Sequence, residues 1–370
     1  MRVLQLVSGF PPEHLGGTEI FCESFARSLS ALGVDVCVTW HDSDGGVTEG
    51  HWGQHGSVRT HNLPPVESAG ARTTKYGRRA QAAVGFEELL AAWRPDICHF
   101  HGFSYQQGLT HLELCKRAGV RIVYTMHTPG QWCAQGNLLY RNRSVCDGRL
   151  LQRRCSECRL RAVGAPGWVA DGLAALPALP VSLEQTSKLG RLLTVPTAIQ
   201  RHRASWLEFF DGVDVVHALA HWVVDMLGRN GLPLDKVQLI RTGVPGHAIG
   251  ASDGQRQPPA WNPAARPLEV VFIGRFTETK GPAVLIDAVR MLPQDAPIRV
   301  HFWSANAVPD TPYRRRLLEL ISKDARLCAP ERVPQEAVIP RLAHMDVCVV
   351  PSIWLETGPL TVLEAFAAGG

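Results

Sequence analysis

Short apolar runs and helical stripes alternate along most of this chain. "RVLQLVS" near the amino end is a nearly continuous apolar stretch, the pattern of a strand buried on both faces. After the loop "GFPPEHLGG", Ile20, Phe21, Phe25 and Leu29 recur at helical spacing, and Gly33 supplies a carboxyl-terminal stop. "VDVCVTW", "VRTHNLP", "DICHFHG" and "RIVYTMH" repeat the strand signature, with helical connections such as "AAVGFEELLAAW" and "LTHLELCKRAG". Short apolar strands separated by amphipathic helices predict a parallel sheet covered on both faces. Such sheets bind their ligands at the carboxyl ends of the strands.

The rhythm breaks at residues 128–210, where four cysteines, many arginines and the segment "GAPGWVADGLAALPALPV" occur. This region reads as a weakly structured insertion that closes with a helix around "TAIQRHRASWLEFF". Alternation resumes with "VDVVHAL", the helix "HWVVDMLGRNG" and the strand "KVQLIRTG". A stretch rich in Gly, Pro and polar residues over 246–265 reads as a linker. A second α/β block fills 266–370, with strands "LEVVFIGRF", "IRVHFWS", "RLCAPE" and "DVCVVPS" and helices "PAVLIDAVRML" and "QEAVIPRLAHM". The expected organisation is therefore an amino-terminal α/β domain over 1–245, the linker, and a second α/β domain over 266–370.

Length and composition agree with that division. A chain of 370 residues exceeds one ordinary core, and 45% apolar with 19% charged residues is globular rather than disordered. A net charge of +4 is too small to argue for nucleic acid as the ligand. It suits an anionic small molecule or peripheral contact with a membrane surface. No run reaches the 18 or so apolar residues of a membrane span, and "MRVLQLVSGFPP" reads as a strand rather than a signal peptide. A cytoplasmic location is expected, with the inner face of the membrane as a second place.

Two segments of the second block carry candidate chemistry. In "PSIWLETGPLTVLEAFAAGG" the strand "DVCVVPS" ends in a loop bearing Glu356, and Pro359 is expected at the first position of a helix. The N–H groups of Leu360 and its neighbours, backed by the helix dipole, suit a phosphate. Glu364, eight positions after Glu356, then lies inside that helix, while Glu356 stays on the loop. The two carboxylates can accept from hydroxyl pairs on either side of the phosphate. In "VFIGRFTETKG", Arg275 and Lys280 follow a strand; two cations there can neutralise a diphosphate without a metal.

Taken together, "GRFTETKG" and "PSIWLETGPLTVLEAFAAG" resemble the carboxyl-terminal hallmarks of retaining glycosyltransferases of family 4, with a GT-B fold of two Rossmann-like domains. "PPEHLGGTE", "RIVYTMHT" and "DGVDVVHALAHWVVDMLGRNGLPLDKVQLIRTGV" resemble the family's amino-terminal half. The resemblance implies transfer of a sugar from a nucleoside-diphosphate sugar to a hydroxyl of a glycan, a lipid-linked glycan or a small molecule, with no cofactor required for catalysis. Arg275 and Lys280 would bind the donor diphosphate and Glu364 the ribose hydroxyls. Glu356, with Thr357 and Gly358, would contact the donor sugar. Gly16 and Gly17 would let their loop approach the phosphates closely, and His127 would stand near the reacting carbon. Thr128 stands where the family often has Asp, and "GVP" at 243–245 replaces a commoner Gly-hydrophobic-Asp. The family also has a strand and helices after the position of "EAFAAGG", so a carboxyl-terminally truncated chain is expected.

Other features carry weaker signals. Asp42 and Asp44 have the spacing of a metal–diphosphate motif, although a GT-B fold needs no such metal. Cys133, Cys146, Cys155 and Cys158 sit at positions that read as loops, the last two as a C-x2-C pair. Four thiolates suit a structural zinc site, and a less favoured iron–sulfur cluster, two disulfides or unconnected thiols are the alternatives. Arg149, Arg153, Arg154, Arg159 and Arg161 around the pair read as a solvated basic face. The remaining cysteines, Cys22, Cys37, Cys98, Cys115, Cys328 and Cys348, fall in apolar segments as core residues. Two other functional classes fit the same pattern, a GT-B nucleotide-sugar epimerase and a non-catalytic glycan-binding module.

Overall fold

The apolar runs of the amino-terminal half become neighbours in one eight-stranded sheet. In the computed structural model, which describes residues 1–12, 16–43, 45–67, 75–179, 187–243, 261–304 and 310–369, they form β1 (Arg2–Leu6), β2 (Asp35–His41), β3 (His51–His55), β4 (Val58–Leu63), β5 (Ile97–Phe100), β6 (Arg121–Met126), β9 (Val215–Ala218) and β10 (Val237–Leu239). Their order across the sheet is β10-β9-β6-β5-β1-β2-β4-β3, and only the β3–β4 pair is antiparallel. Leu4 of β1 pairs with Cys37 on one side and Cys98 on the other, and all three are fully buried. The strand β3 lies outside the expected elements. "HWGQH" is polar and mostly exposed, so it carries no apolar signal and joins the sheet only by pairing at its edge.

Helices α1 (Gly17–Ala31), α2 (Phe86–Trp93), α3 (Leu109–Arg117) and α9 (His221–Arg229) connect the strands. Cys22 and Ala26 of α1 pack with Val36, Val38 and Val58 in one cluster, and each aliphatic side chain fully buried there contributes about 1.5–3 kcal/mol. Because the sheet is parallel, Leu6, Phe100 and Met126 all end at one edge, and Ser8, His101 and His127 follow them there.

The 128–210 region is more ordered than its sequence suggests. It holds α4 (Pro129–Trp132), the short hairpin β7 (Leu139–Tyr140) and β8 (Ser144–Val145), then α5 (Gln152–Ala162), α6 (Gly167–Ala174), α7 (Lys188–Leu193) and α8 (Val195–Gly212). Leu160, Ala170, Ala174, Val195 and Ile199 give these helices a core of their own. That packing offsets the weak helix propensity of the two glycines in α6. It also corrects the placing of Cys155 and Cys158, which lie on α5 rather than in a loop.

Residues Met1–Arg241 make one unit and Thr242–Gly370 a second. The second contains β11 (Leu268–Ile273), α10 (Pro282–Arg290), β12 (Ile298–Ser304), α11 (Pro312–Ile321), β13 (Glu331–Arg332), α12 (Gln335–Leu342), β14 (Val347–Cys348) and α13 (Leu360–Ala367). Its parallel sheet has the order β13-β12-β11-β14. One face packs Val270, Phe272 and Phe302 on α10 and α11; the other packs Val271 and Trp303 on α12, with Ala365 of α13 against it. The "RLCAPE" strand is reduced to a bridge at Leu327 followed by β13. Cys328 and Cys348 are half-buried rather than core residues, whereas Cys22, Cys37, Cys98 and Cys115 are buried. Much of the 246–265 linker lies outside the described residues.

Candidate functional site

In the second unit the Arg/Lys segment and the double-Glu segment fold against each other. A 3-10 turn, Glu278–Lys280, follows β11 and leads through Gly281 into α10. Gly281 has φ +70°, and a Cβ there would lie 2.0 Å from the Pro351 carbonyl oxygen, so only glycine fits. Ile353 N–H donates to the Thr279 carbonyl at 3.0 Å. The Lys280 ammonium donates to Glu356 Oε1 at 2.7 Å. The Ser352 hydroxyl (2.6 Å) and the Trp354 indole N–H (2.8 Å) donate to the same oxygen. Burial alone would raise the Glu356 carboxyl, but the Lys280 charge and these donors outweigh it and hold it below its ordinary value.

The helix α13 begins at Leu360, one residue later than the sequence suggests, so Pro359 is its N-cap rather than its first residue. Its first turn leaves N–H groups, those of Leu360 and Thr361, without helical carbonyl partners. Thr357 is buried. Gly358 has φ +154°, and a Cβ there would come within 3.2 Å of Thr242 Oγ1. Glu364 lies on α13 and accepts from Gln335 Nε2 at 2.6 Å; burial raises its carboxyl, and that hydrogen bond opposes the rise. Arg275 is exposed on the loop after β11 and, among the described residues, makes no ion pair. The structure thus brings Lys280, Glu356 and the α13 amino end into one stretch of the unit, with Arg275 on the adjoining loop.

In the first unit, Gly16 is the N-cap of α1 and Gly17 its first residue. A Cβ on Gly17 would meet nothing within 4 Å, whereas one on Gly16 would lie 2.4 Å from Glu19 Oε2, so a first-turn carboxylate already stands at this helix amino end. His127 follows β6 and is buried, with its Nε2 3.0 Å from His101 Nδ1. Its ring packs edge-on against Phe21 of α1 at 4.8 Å. Burial, then the neighbouring His217, pushes its pKa down to about 3, so His127 is neutral at ordinary pH. His99 continues the buried row, bonded through Thr125 to His217. Asp42 accepts from the Val47 N–H at 3.0 Å, while Asp44 lies outside the described residues.

Cys133, Cys146, Cys155 and Cys158 line a single cavity of about 30 Å³, the room of about one water molecule. All four are free thiols. Burial raises the last three, Cys155 to about 12. Among the described residues no group of three or more His, Cys, Asp or Glu side chains is arranged to hold a metal ion. Of the five arginines nearby, Arg154 pairs with Asp147 and Arg161 with Glu157. Arg149 and Arg153 are exposed, and Arg159 turns to a different cavity. That second cavity has a volume of about 600 Å³ and is also lined by Lys75, Arg78, Gln107 and His202, none of which the sequence singled out. These residues are scattered over more than a hundred positions, and no local spacing joins them.

Two Rossmann-like α/β units with parallel sheets and a phosphate-suited helix end in the second define a GT-B glycosyltransferase fold. Solved structures share it. HepE from Anabaena, in complex with UDP and glucose, is 14% identical with a TM-score of 0.55, covering 100% of this chain and 79% of HepE. Sucrose-phosphate synthase from Thermosynechococcus elongatus is 15% identical with a TM-score of 0.57 over 100% and 79% of the two chains. A trehalose-6-phosphate synthase, studied for glycosyl transfer with retention, is 12% identical with a TM-score of 0.55 over 100% and 81%. Residues 15–245 match Glycosyltransferase Family 4, and residues 254–370 match Glycosyl transferases group 1. The chain belongs to glycosyltransferase family 4 and is a glycosyltransferase. No curated protein matches it in sequence. Among the described residues, no helix is long and apolar enough to cross a membrane.

Proposed function

We propose that the protein transfers a sugar from a nucleoside-diphosphate sugar to a hydroxyl of a glycan, lipid-linked glycan or small molecule, with retention of anomeric configuration. The observation that carries this reading is the clasp of Lys280 on Glu356, 2.7 Å apart, beside the amino end of α13. The donor diphosphate would lie on the first-turn N–H groups of α13, with Arg275 and Lys280 as its cations. Glu364 would accept from the ribose hydroxyls. Glu356, fixed by three donors, would accept from hydroxyls of the sugar, with Thr357 and Gly358 shaping the wall.

The glycosyl acceptor would be held by the first unit, near His127 and the Gly16–Gly17 helix end. In the reaction the bond from the anomeric carbon to the phosphate oxygen breaks and a bond to the acceptor oxygen forms on the same face. The acceptor proton passes to the leaving diphosphate. His127, neutral and buried, orients by hydrogen bonding and takes no charge. Rate enhancement then comes from charge stabilisation at the diphosphate and from positioning. Retention is supported by the retaining trehalose-6-phosphate synthase of the same fold, and a UDP donor by the UDP bound to HepE.

The test is a panel of UDP, GDP and ADP sugars, read by thermal stabilisation and by hydrolysis or transfer. One nucleotide should stabilise the protein, and the effect should vanish in Arg275→Ala and Lys280→Ala. Stabilisation by none of them, or an undiminished shift in both variants, overturns the reading. Interconversion of the donor sugar with no transfer would establish the epimerase instead.

A further inference from the structure

We infer that the first unit binds a hydroxylated molecule carrying a phosphoryl group, in the cavity of about 600 Å³ at the carboxyl ends of β1, β5 and β6. That this molecule is the glycosyl acceptor rests on the function proposed above; the binding site itself does not. Ser8 follows β1, Phe103 and Gln107 follow β5, and Gln131 follows β6, so the cavity stands where parallel sheets place their ligands. Its volume suits a molecule of sugar-phosphate size.

Three cations and no carboxylate occur among the described lining residues, the cations being Lys75, Arg78 and Arg159. Other arginines of this unit are paired: Arg79 with Glu113 and Glu208, Arg154 with Asp147, Arg161 with Glu157. The three cavity cations have no carboxylate partner among the described residues. Arg78 is the decisive one, at 7% exposure. Its guanidinium donates to the Phe103 carbonyl, to the Gln131 carbonyl at 2.6 Å and to His202 Nδ1 at 3.3 Å. It stacks within 4.6 Å of Phe103 and 5.3 Å of Trp206, and its Nε has no hydrogen-bond partner.

His202 cannot balance the charge, because its Nε2 lies 2.5 Å from the Trp132 carbonyl, so its Nε2–H donates there and Nδ1 faces the arginine. A buried cation with neutral partners alone is costly, and an entering anion removes that cost. Planar guanidinium groups match the oxygens of a phosphoryl group, and Lys75 adds a mobile charge at the exposed side.

A second group points to hydroxyls. Gln107 is 1% exposed and donates to Ser8 Oγ at 2.5 Å, but its Oε1 has no partner. An unmade hydrogen bond on a buried amide costs about 1–3 kcal/mol, and a ligand hydroxyl donating to Oε1 would restore it. Cations together with a bare amide oxygen select a phosphorylated polyol over either a neutral sugar or bare phosphate.

The test is calorimetric titration of the whole chain held in saturating UDP, so that the donor site does not take up phosphate. Glucose 6-phosphate, glucose and inorganic phosphate are the soluble probes; flotation with phosphatidylcholine vesicles, with and without phosphatidylinositol 4-phosphate, tests a lipid source. Glucose 6-phosphate or the phosphoinositide vesicles should bind at least about tenfold better than the unphosphorylated counterpart. Arg159→Gln and Lys75→Met, both at exposed or half-exposed positions, should each weaken that binding about tenfold, with thermal unfolding unchanged and UDP affinity intact. Lys280→Ala should leave it unchanged. Equal affinity for glucose and glucose 6-phosphate with no vesicle preference, or unaltered binding in both cavity variants, overturns the inference. If UDP fails to bind while the cavity variants respond as expected, the donor reading fails and the phosphoryl site stands.

Discussion

Lys280 and Glu356, 76 positions apart, meet at 2.7 Å, and two further donors converge on the same carboxylate oxygen. The two signature segments are thus one structural piece. With both side chains only about a fifth exposed (22% and 21%), the pair is worth more than a surface ion pair and less than a fully buried one. Lys280→Ala is expected to weaken UDP-sugar affinity by about tenfold or more and to cost about 1–2 kcal/mol of stability. Titration calorimetry and denaturant unfolding separate the two. Wild-type donor affinity in the variant would remove Lys280 from the site.

Glu364 should behave in the opposite way for stability. Burial raises its carboxyl, so the ionised form is disfavoured in the fold and its charge works against stability above its own pKa. Glu364→Gln is expected to keep or slightly raise the melting temperature near pH 7 while reducing nucleotide affinity. A drop of several degrees with unchanged affinity would assign the residue to packing alone.

Gly281→Ala is a sharper structural probe. The new methyl would meet the Pro351 carbonyl oxygen at 2.0 Å from a backbone with φ +70°, for a cost of about 2 kcal/mol or more. Unfolding of the second unit at lower denaturant, with the first unit unmoved, is the expected readout.

Acid should unfold the first unit early. Burial lowers His41 and His61 to about 4 and His99, His127 and His202 to about 3, from an ordinary value of 6.5. Each folded pKa is depressed, so the unfolded chain binds more protons. The stability contributed is complete above about pH 6.5 and is lost as pH falls towards 4 and 3, at about 1.4 kcal/mol per pH unit for each histidine. An acid-unfolding midpoint above about pH 5 is expected, moving down in His99→Gln. A midpoint near pH 3 would show that these rings are protonated in the fold.

The four-thiol cavity sets a metal test. Zinc held there requires the side chains to turn inward and lose their protons, so its affinity should rise with pH. Because the four side chains are not arranged to hold a metal, metal-free protein whose four thiols react with a thiol reagent is the expected outcome. About one zinc per chain, reduced by Cys155→Ser, would show that the thiols turn inward to make the site.

The sheet-forming runs were legible because parallel strands need both faces apolar: β1, β2, β5, β6 and β9 are all written that way. β3 was not, because its exposed polar side chains leave only backbone pairing to define it. Of the insertion's helices, α8 was legible, but α6 escaped for a related reason, since Gly167, Gly172 and the nearby prolines weaken the local signal that packing on Leu160 and Ile199 restores. The donor segments could be read because their residues lie close together in sequence. Lys75, Arg78 and Arg159 could not, since only the folding of α5 against the strand ends gathers them.

Ile353 and Thr279 join their loops through main-chain atoms, as does the close passage of Gly281 over Pro351. Mutational tolerance in this corner should therefore be lopsided. The side chains at 279 and 353 are open to wide exchange, and Gly281 to almost none. If the donor binds here as proposed, evolution can redecorate the rim of this corner, and so change which sugar is preferred, without disturbing the frame that would hold the diphosphate.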